Sequence, residues 1–274
     1  MTDGNDHPMK QSLPLFNHDF DAPTAFSPES LVEAVRTDRH LEREPIPPVC
    51  VLEFDGDLTD WLVSTGTVKP WKSWACFHTT MFSLEVDGLT CGIVPRTIGG
   101  PYAVLVAEQM AISGARVVLG LTSAGRVNSA MPLPGLVVVT SAIRDEGTSY
   151  HYLPPAKVVD APLKVTRLLE SELQAQPLPV LSGVVWTTDA PYRETERQLA
   201  DHANAGVLAV EMQAASLLAF SEKRRFPVGI VAHVTNGVGQ MGEPFDKGGA
   251  QMREFDILKR VCRAGKRFVS LPSI

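Results

Sequence analysis

At 274 residues, with 44% hydrophobic and 20% charged residues, the chain can bury the core of one large α/β domain. A net charge of −6 argues against nucleic acid or an anionic membrane as the main partner, since both repel an acidic surface. Cys50, Cys76, Cys91 and Cys262 form no CxxC pair and show no ligand spacing with histidine, so neither a disulfide framework nor a metal site is expected.

The opening MTDGNDHPMKQ carries no apolar signal core, and no later stretch is apolar for long enough to span a bilayer, so a soluble cytoplasmic protein is expected. Residues 1–48 are polar and proline-rich and read as an N-terminal arm, with one helix over Pro28–Thr37 behind a Ser27 N-cap. From Val49 onward, in a second unit of residues 49–274, short apolar runs alternate with Gly, Pro and Asp. Val49–Phe54 reads as a strand closed by the turn Asp55-Gly56-Asp57. Thr80–Val86 and Leu89–Val94 flank Asp87-Gly88, a strong hairpin signal. A helix over Tyr102–Ser113 follows Gly99-Gly100-Pro101, and Val117–Leu121 and Leu136–Thr140 read as buried strands.

Further on, a helix over Pro162–Gln174 precedes a strand over Pro179–Trp186, and Arg193–Asn204 is helical. Val207–Val210 is a short buried strand that gives way, at Glu211-Met212-Gln213, to a helix over Ala214–Phe220. The strand Val228–Val234 and a helix over Lys247–Lys266 close the chain. This alternation implies a three-layer α/β/α fold with a mixed, mostly parallel central sheet.

Polar or small groups stand at four strand ends: Gly56-Asp57, Thr122-Ser123-Ala124-Gly125, Glu211-Met212-Gln213 and Thr235-Asn236-Gly237. A fifth polar stretch, RDEGTSYHY over Arg144–Tyr152, also follows a strand. Ligands of open α/β sheets sit at strand ends, so these stretches point to one shared pocket. Glu211 is the most pointed of them, read either as a functional carboxylate or as a first-turn charge favoured by the helix dipole. GxxxxGK[ST], GxGxxG and GxSxG are all missing, which disfavours nucleoside triphosphates, dinucleotides and α/β-hydrolase chemistry.

Across residues 49–268 the chain resembles the nucleoside phosphorylase superfamily, and within it the uridine phosphorylase branch. The resemblance rests on DGLTCGIVPRTIGGPYAVLVAEQM at 87–110, GLTSAG at 120–125, RDEGTSYHYLP at 144–154, TTDAPYRET at 187–195, VEMQAAS at 210–216 and VTNGVGQ at 234–240. It implies phosphorolysis of a nucleoside to ribose 1-phosphate and free base, with inorganic phosphate as co-substrate and no other cofactor. It also implies a homodimer, or a hexamer built as a trimer of dimers. The family's Glu-Met-Glu stands here as Glu211-Met212-Gln213: Met212 would pack under the sugar, and Glu211 or Gln213 would take its hydroxyls. Ser123, with Thr122 and Gly56, would meet phosphate, while Asp189, Tyr192 and Arg193 would line the base end.

Three arginines of the family's phosphate pocket are replaced, by Asp60, Gly120 and Cys76. Arg96 and Arg126 are the expected substitutes, with Arg144 a third option. Asn236 stands where the purine branch carries its acid, and an amide cannot act as a general acid. Two alternatives follow: a nucleosidase using water, with Glu146 or Asp145 as base, and a non-catalytic nucleoside-binding member.

Overall fold

The structure is a computed structural model and describes residues 13–238 and 251–272. Helix α1 (Pro28–Arg39) starts as expected, with the Ser27 hydroxyl accepting from Ser30 N at 3.3 Å and Pro28 in the first turn. Strand β1 (Val49–Glu53) is followed by helix α2 (Asp57–Ser64) and the two-residue strand β2 (Lys69–Pro70). Strands β3 (Phe82–Val86) and β4 (Leu89–Pro95) form the expected hairpin, and Asp87 and Gly88 adopt φ of 50° and 77° in its turn. Helix α3 (Gly100–Ser113) leads to the long strands β5 (Val117–Arg126) and β6 (Gly135–Asp145), and to the short β7 (Val158–Asp160). Helix α4 (Leu163–Leu173) and strand β8 (Val180–Thr188) come next, then α5 (Glu196–Asn204), β9 (Ala209–Glu211), α6 (Ala214–Arg224), β10 (Val228–Gly237) and α7 (Gln251–Val269).

The strands make one mixed sheet in the order β10-β6-β8-β9-β5-β1-β4-β3-β2, with β7 on β6. Strand β10 also pairs with β5, so β5, β9, β8, β6 and β10 close into a ring. Parallel ladders run through β4-β1-β5-β10 and β6-β8-β9, while the hairpin and the β5–β9 and β6–β10 contacts are antiparallel.

Successive side chains of a strand face opposite ways, and the sheet has a core on each side. Val117 and Leu119 of β5 pack with Leu169 of α4 and Leu258 and Val261 of α7. Val118 packs with Ala103 and Val106 of α3 and Leu217 and Phe220 of α6. Each fully buried side chain of this kind contributes roughly 1.5–3 kcal/mol. The described part of the arm lies on the same chain: α1 contacts α3, and the Phe16 ring meets the Tyr150 ring edge-on at 5.4 Å. Among the described residues no helix is long and apolar enough to cross a membrane.

Several boundaries differ from the sequence reading, each for a local reason. Strands β5 and β10 run past their expected ends because their polar tails bond to each other, Ala232 beside Thr122 and Asn236 beside Gly125. Helix α5 begins at Glu196, not Arg193. Pro191–Arg193 forms a separate 3-10 turn, and Thr195 with Gln198 makes a capping box. Helix α2 had no expectation attached to it. Its N-cap is Gly56, at a φ of +88° that favours glycine, and it has no side-chain cap of its own. The start of the helix expected from Lys247, and Gly239-Gln240 of the last motif, lie outside the described residues.

Candidate active site

The register of the ring brings the polar strand ends together. Strand β10 lies beside β5 with His233 next to Ser123 and, past a bulge, Asn236 next to Gly125. Strand β9 sits against β8 with Glu211 next to Thr187. A cleft of about 430 Å³ opens among these ends. It is walled by Ser123 and Gly125, Glu211 and Met212, Thr235 and Asn236, and Pro191 and Glu194 ahead of α5. A smaller pocket of about 50 Å³ shares Ser123 and Thr235 with the cleft. A third cavity, of about 490 Å³, shares Glu194 and is closed on one side by Leu15 and Phe16 of the arm.

Glu211 is 4% exposed, and its carboxylate holds the first turn of α6. One oxygen accepts from the Thr187 hydroxyl at 2.5 Å, and the other from the backbone N–H groups of Gln213 and Ala214 at 2.7 and 2.8 Å. Burial pushes its pKa up to about 7 against the pull of these donors. Both readings of Glu211 therefore meet at one residue: it anchors a helix start and it lines the cleft. Oε1, with a single donor, has a further lone pair for a ligand hydroxyl.

The smaller pocket is acidic. Glu53, Asp55, Asp57 and Glu254 line it together with His233, Ser123 and Thr235. Glu53 closes the start of α2, accepting from Gly56 N at 2.7 Å and from the Thr59 hydroxyl at 2.7 Å. The helix N-terminus, a natural anion site, is thus already filled by a carboxylate of the same chain. Burial raises the Glu53 pKa, even though its Thr59 and Gly56 donors favour the charged form. Glu254 is pushed up to about 7, first by burial and then by Glu53 and Asp55 nearby. Its Oε1 lies 3.9 Å from His233 Nδ1. The Ser123 hydroxyl donates to Asp55 at 3.2 Å.

The residues singled out from the sequence fall into two groups. Glu211, Met212, Ser123 and Asn236 line the cleft, Thr122 lines the acidic pocket, and Asp189 and Arg193 line the arm-covered cavity. Gly56 is bound to Glu53 rather than open to a ligand. Four of the expected residues stand away from the cleft wall. Gln213 is fully buried, with neither amide atom bonded and no place in the cleft wall, because its side chain turns inward as α6 begins. Tyr192 is 99% exposed on its 3-10 turn and lines none of these three cavities. Arg126 donates to the Met131 carbonyl at 3.3 Å instead of facing the cleft. Arg96 lies over Gly56, where a Cβ would meet its Cγ at 2.6 Å, and its guanidinium is paired with Asp60.

Arg144, Asp145 and Glu146 line the arm-covered cavity and bond to neighbouring groups of the chain. Arg144 is buried and donates to Ser149 Oγ and to the carbonyls of Leu153 and Pro154. Asp145 accepts from Trp186 Nε1, and Glu146 from Ser149 N and the Ser216 hydroxyl. The sequence reading missed Glu53, Glu254, His233 and Glu194. A carboxylate inside the apolar run VCVLEF was a usable signal for Glu53. Glu254 reads as an ordinary helix-surface charge, and only the docking of α7 brings it to the pocket. Among the described residues no group of three or more His, Cys, Asp or Glu side chains is arranged to hold a metal ion.

Comparison with known proteins adds a family. A model of the phosphorylase superfamily matches residues 48–264. Guanosine phosphorylase of Halorubrum lacusprofundi is 27% identical over 54% of this chain and 61% of its own length. Uridine phosphorylase of Escherichia coli K12 is 24% identical over 61% of this chain and 71% of its own. The crystal structure of uridine phosphorylase from Vibrio fischeri ES114 superposes with a TM-score of 0.68 at 22% identity, covering 81% of this chain and 95% of that one. That likeness extends to the fold.

Proposed function

Because this chain belongs to the phosphorylase superfamily, we propose that it is a pentosyltransferase that cleaves the N-glycosidic bond of a nucleoside with phosphate, yielding pentose 1-phosphate and free base. The observation that carries the reading is the cleft in which Glu211, Met212, Ser123, Thr235 and Asn236 converge from β9, β5 and β10. The matched relatives include a guanosine and a uridine phosphorylase, so a nucleoside is the substrate class they support.

In this reading Glu211 Oε1 accepts from a sugar hydroxyl and Met212 packs against the ring. Fixing the sugar beside the acceptor converts an encounter into a positioned reaction. The bond from the anomeric carbon to the base nitrogen breaks with its electron pair passing to the base. An acceptor oxygen forms the new bond to that carbon. The Asn236 amide stabilises the departing base by hydrogen bonding and transfers no proton. No cofactor enters beyond phosphate as co-substrate. The assembly is a homodimer or a trimer of dimers, a reading supported by the exposed apolar Leu105 and Ile112 on one face of α3. A cytoplasmic setting fits four free, buried cysteines.

A second reading has water in place of phosphate. It is favoured by the acidic pocket next to Ser123, where Glu53 occupies the α2 N-terminus and Asp60 neutralises Arg96. Release of free base from a nucleoside panel, with and without inorganic phosphate, separates the two. Phosphate-dependent release with pentose 1-phosphate as product is expected. Equal release without phosphate establishes the hydrolytic reading, and no release from folded protein overturns both.

A further inference from the structure

A separate cavity of about 570 Å³ lies between the arm, α1 and α3, and shares no wall residue with the strand-end cleft. Its size is that of a small-molecule site. Phe26 of the arm, Leu31 of α1, and Pro101 and Val104 of α3 give it an apolar wall. Gln109, in the third turn of α3, belongs to the same lining. It is 1% exposed, and neither its amide oxygen nor its amide nitrogen has a hydrogen-bond partner among the described residues. A buried amide left unpaired destabilises the fold, and the loss is recovered when a ligand pairs with it.

The charged groups of the lining are engaged. Glu108 Oε1 accepts from the Tyr152 hydroxyl at 3.0 Å and from Arg224 Nε at 2.9 Å, and Asp189 accepts from Gly147 N at 2.8 Å. Burial and the neighbouring His18 lower the pKa of His151, which is therefore neutral at pH 7. Two carboxylates thus line the cavity with one guanidinium, a balance that disfavours anions.

We propose that this cavity is a second ligand site, outside the cleft, that takes an uncharged planar molecule with a lactam or primary carboxamide edge. In such an edge an N–H donor stands beside a carbonyl acceptor, and it pairs with the Gln109 amide through two antiparallel N–H···O bonds. The pairing forms whichever way the amide is turned, because both of its ends are unpaired. The flat body of the ligand lies against Phe26, Leu31 and Val104, where its apolar area leaves water. A molecule with an acceptor but no adjacent donor leaves one end of Gln109 unmatched and is disfavoured. The site is independent of the glycosidic reading, and neither stands or falls with the other.

The test is calorimetric binding of 2-quinolone, N-methyl-2-quinolone, quinoline and quinoline-2-carboxylate to the full chain. 2-Quinolone should bind roughly tenfold more tightly than the other three, the scale of two neutral hydrogen bonds. Gln109→Met keeps the length of the side chain and should bring 2-quinolone down to the level of quinoline. It should also raise the melting temperature, since an unpaired buried amide is gone. Phe26→Ala, at a side chain 68% exposed, leaves the fold intact and should weaken 2-quinolone severalfold, so the test does not depend on the Gln109 variant folding. Asn236→Ala, in the cleft, should leave 2-quinolone binding unchanged. Equal affinity for 2-quinolone and quinoline, a preference that survives in Gln109→Met, or unchanged binding in Phe26→Ala overturns the proposal. So does binding lost in Asn236→Ala, which would put the ligand in the cleft, and so does the absence of 2-quinolone binding to folded protein.

Discussion

The two ends of the cleft differ in how they use carboxylates. At the proposed sugar end, a single buried carboxylate, Glu211, is surrounded by donors from Thr187, Gln213 and Ala214 and still borders the cavity. At the proposed acceptor end, Glu53, Asp55, Asp57 and Glu254 crowd a pocket of about 50 Å³. One carboxylate is held by donors of its own chain, and four others share one small pocket. The difference shows that neighbouring cavities of one sheet can use carboxylates in opposite ways, since Glu211 closes β9 and Glu53 closes β1.

The largest expected effect lies at the sugar end. Glu211→Ala leaves the Thr187 hydroxyl and two α6 N–H groups without their acceptor and should destabilise the fold by about 2–4 kcal/mol. Turnover by the protein that remains folded should fall further, by about a hundredfold, as charged hydrogen bonds to the sugar are lost. Denaturant titration alongside rates corrected for folded fraction checks this. A rate loss that merely tracks unfolding would make Glu211 a structural group.

The same carboxyl sets a pH signature. Its folded pKa, about 7, lies above its ordinary value of 4.5, so the folded state holds a proton that the unfolded state releases across that window. Stability contributed by Glu211 is full below pH 4.5, falls as pH rises towards 7, and is level above. Melting temperatures of the natural protein and Glu211→Gln, compared from pH 4.5 to 8, should diverge over that window. Parallel curves would mean that Glu211 ionises at its ordinary value in the fold.

A smaller effect is expected at the acceptor end. Glu53→Gln keeps an oxygen for Gly56 N and removes a charge from the pocket. The loss in stability should resemble that of a helix cap, about 0.5–2 kcal/mol, while KM for phosphate falls severalfold. A phosphate KM that stays constant or rises would show that the Glu53 charge does not oppose the acceptor.

Legibility from sequence followed the range of the interactions involved. The Asp87-Gly88 turn, the Ser27 cap and the alternating strands were readable because neighbours along the chain determine them. Helix α2 was hidden because the group closing its first turn is Glu53, from the preceding strand, not a residue at its own N-cap. The cleft residues Ser123, Glu211 and Asn236 were visible as polar breaks in apolar strands, and Met212 through the motif between Glu211 and Gln213. The inward turn of Gln213 and the approach of Glu254 depend on how α6 and α7 dock, and no local pattern encodes either.

The finest test of the acceptor end uses the pair Arg96–Asp60. Both side chains are more than half exposed, so the pair contributes at most about 1 kcal/mol to stability. Its effect on charge is larger than its effect on folding. Arg96 lies over Gly56 at the start of α2, held there because Gly56 has no Cβ to exclude it, and Asp60 pairs with its charge. Asp60→Asn should leave melting almost unchanged and free the guanidinium. One exposed charge acting at about 4 Å amounts to about 1 kcal/mol, or roughly a fivefold fall in phosphate KM. Arg96→Ala in the Asp60→Asn background should abolish that gain. If Asp60→Asn leaves phosphate KM where it was, Arg96 does not reach the acceptor, and the acidic pocket is then better matched to water than to an oxyanion.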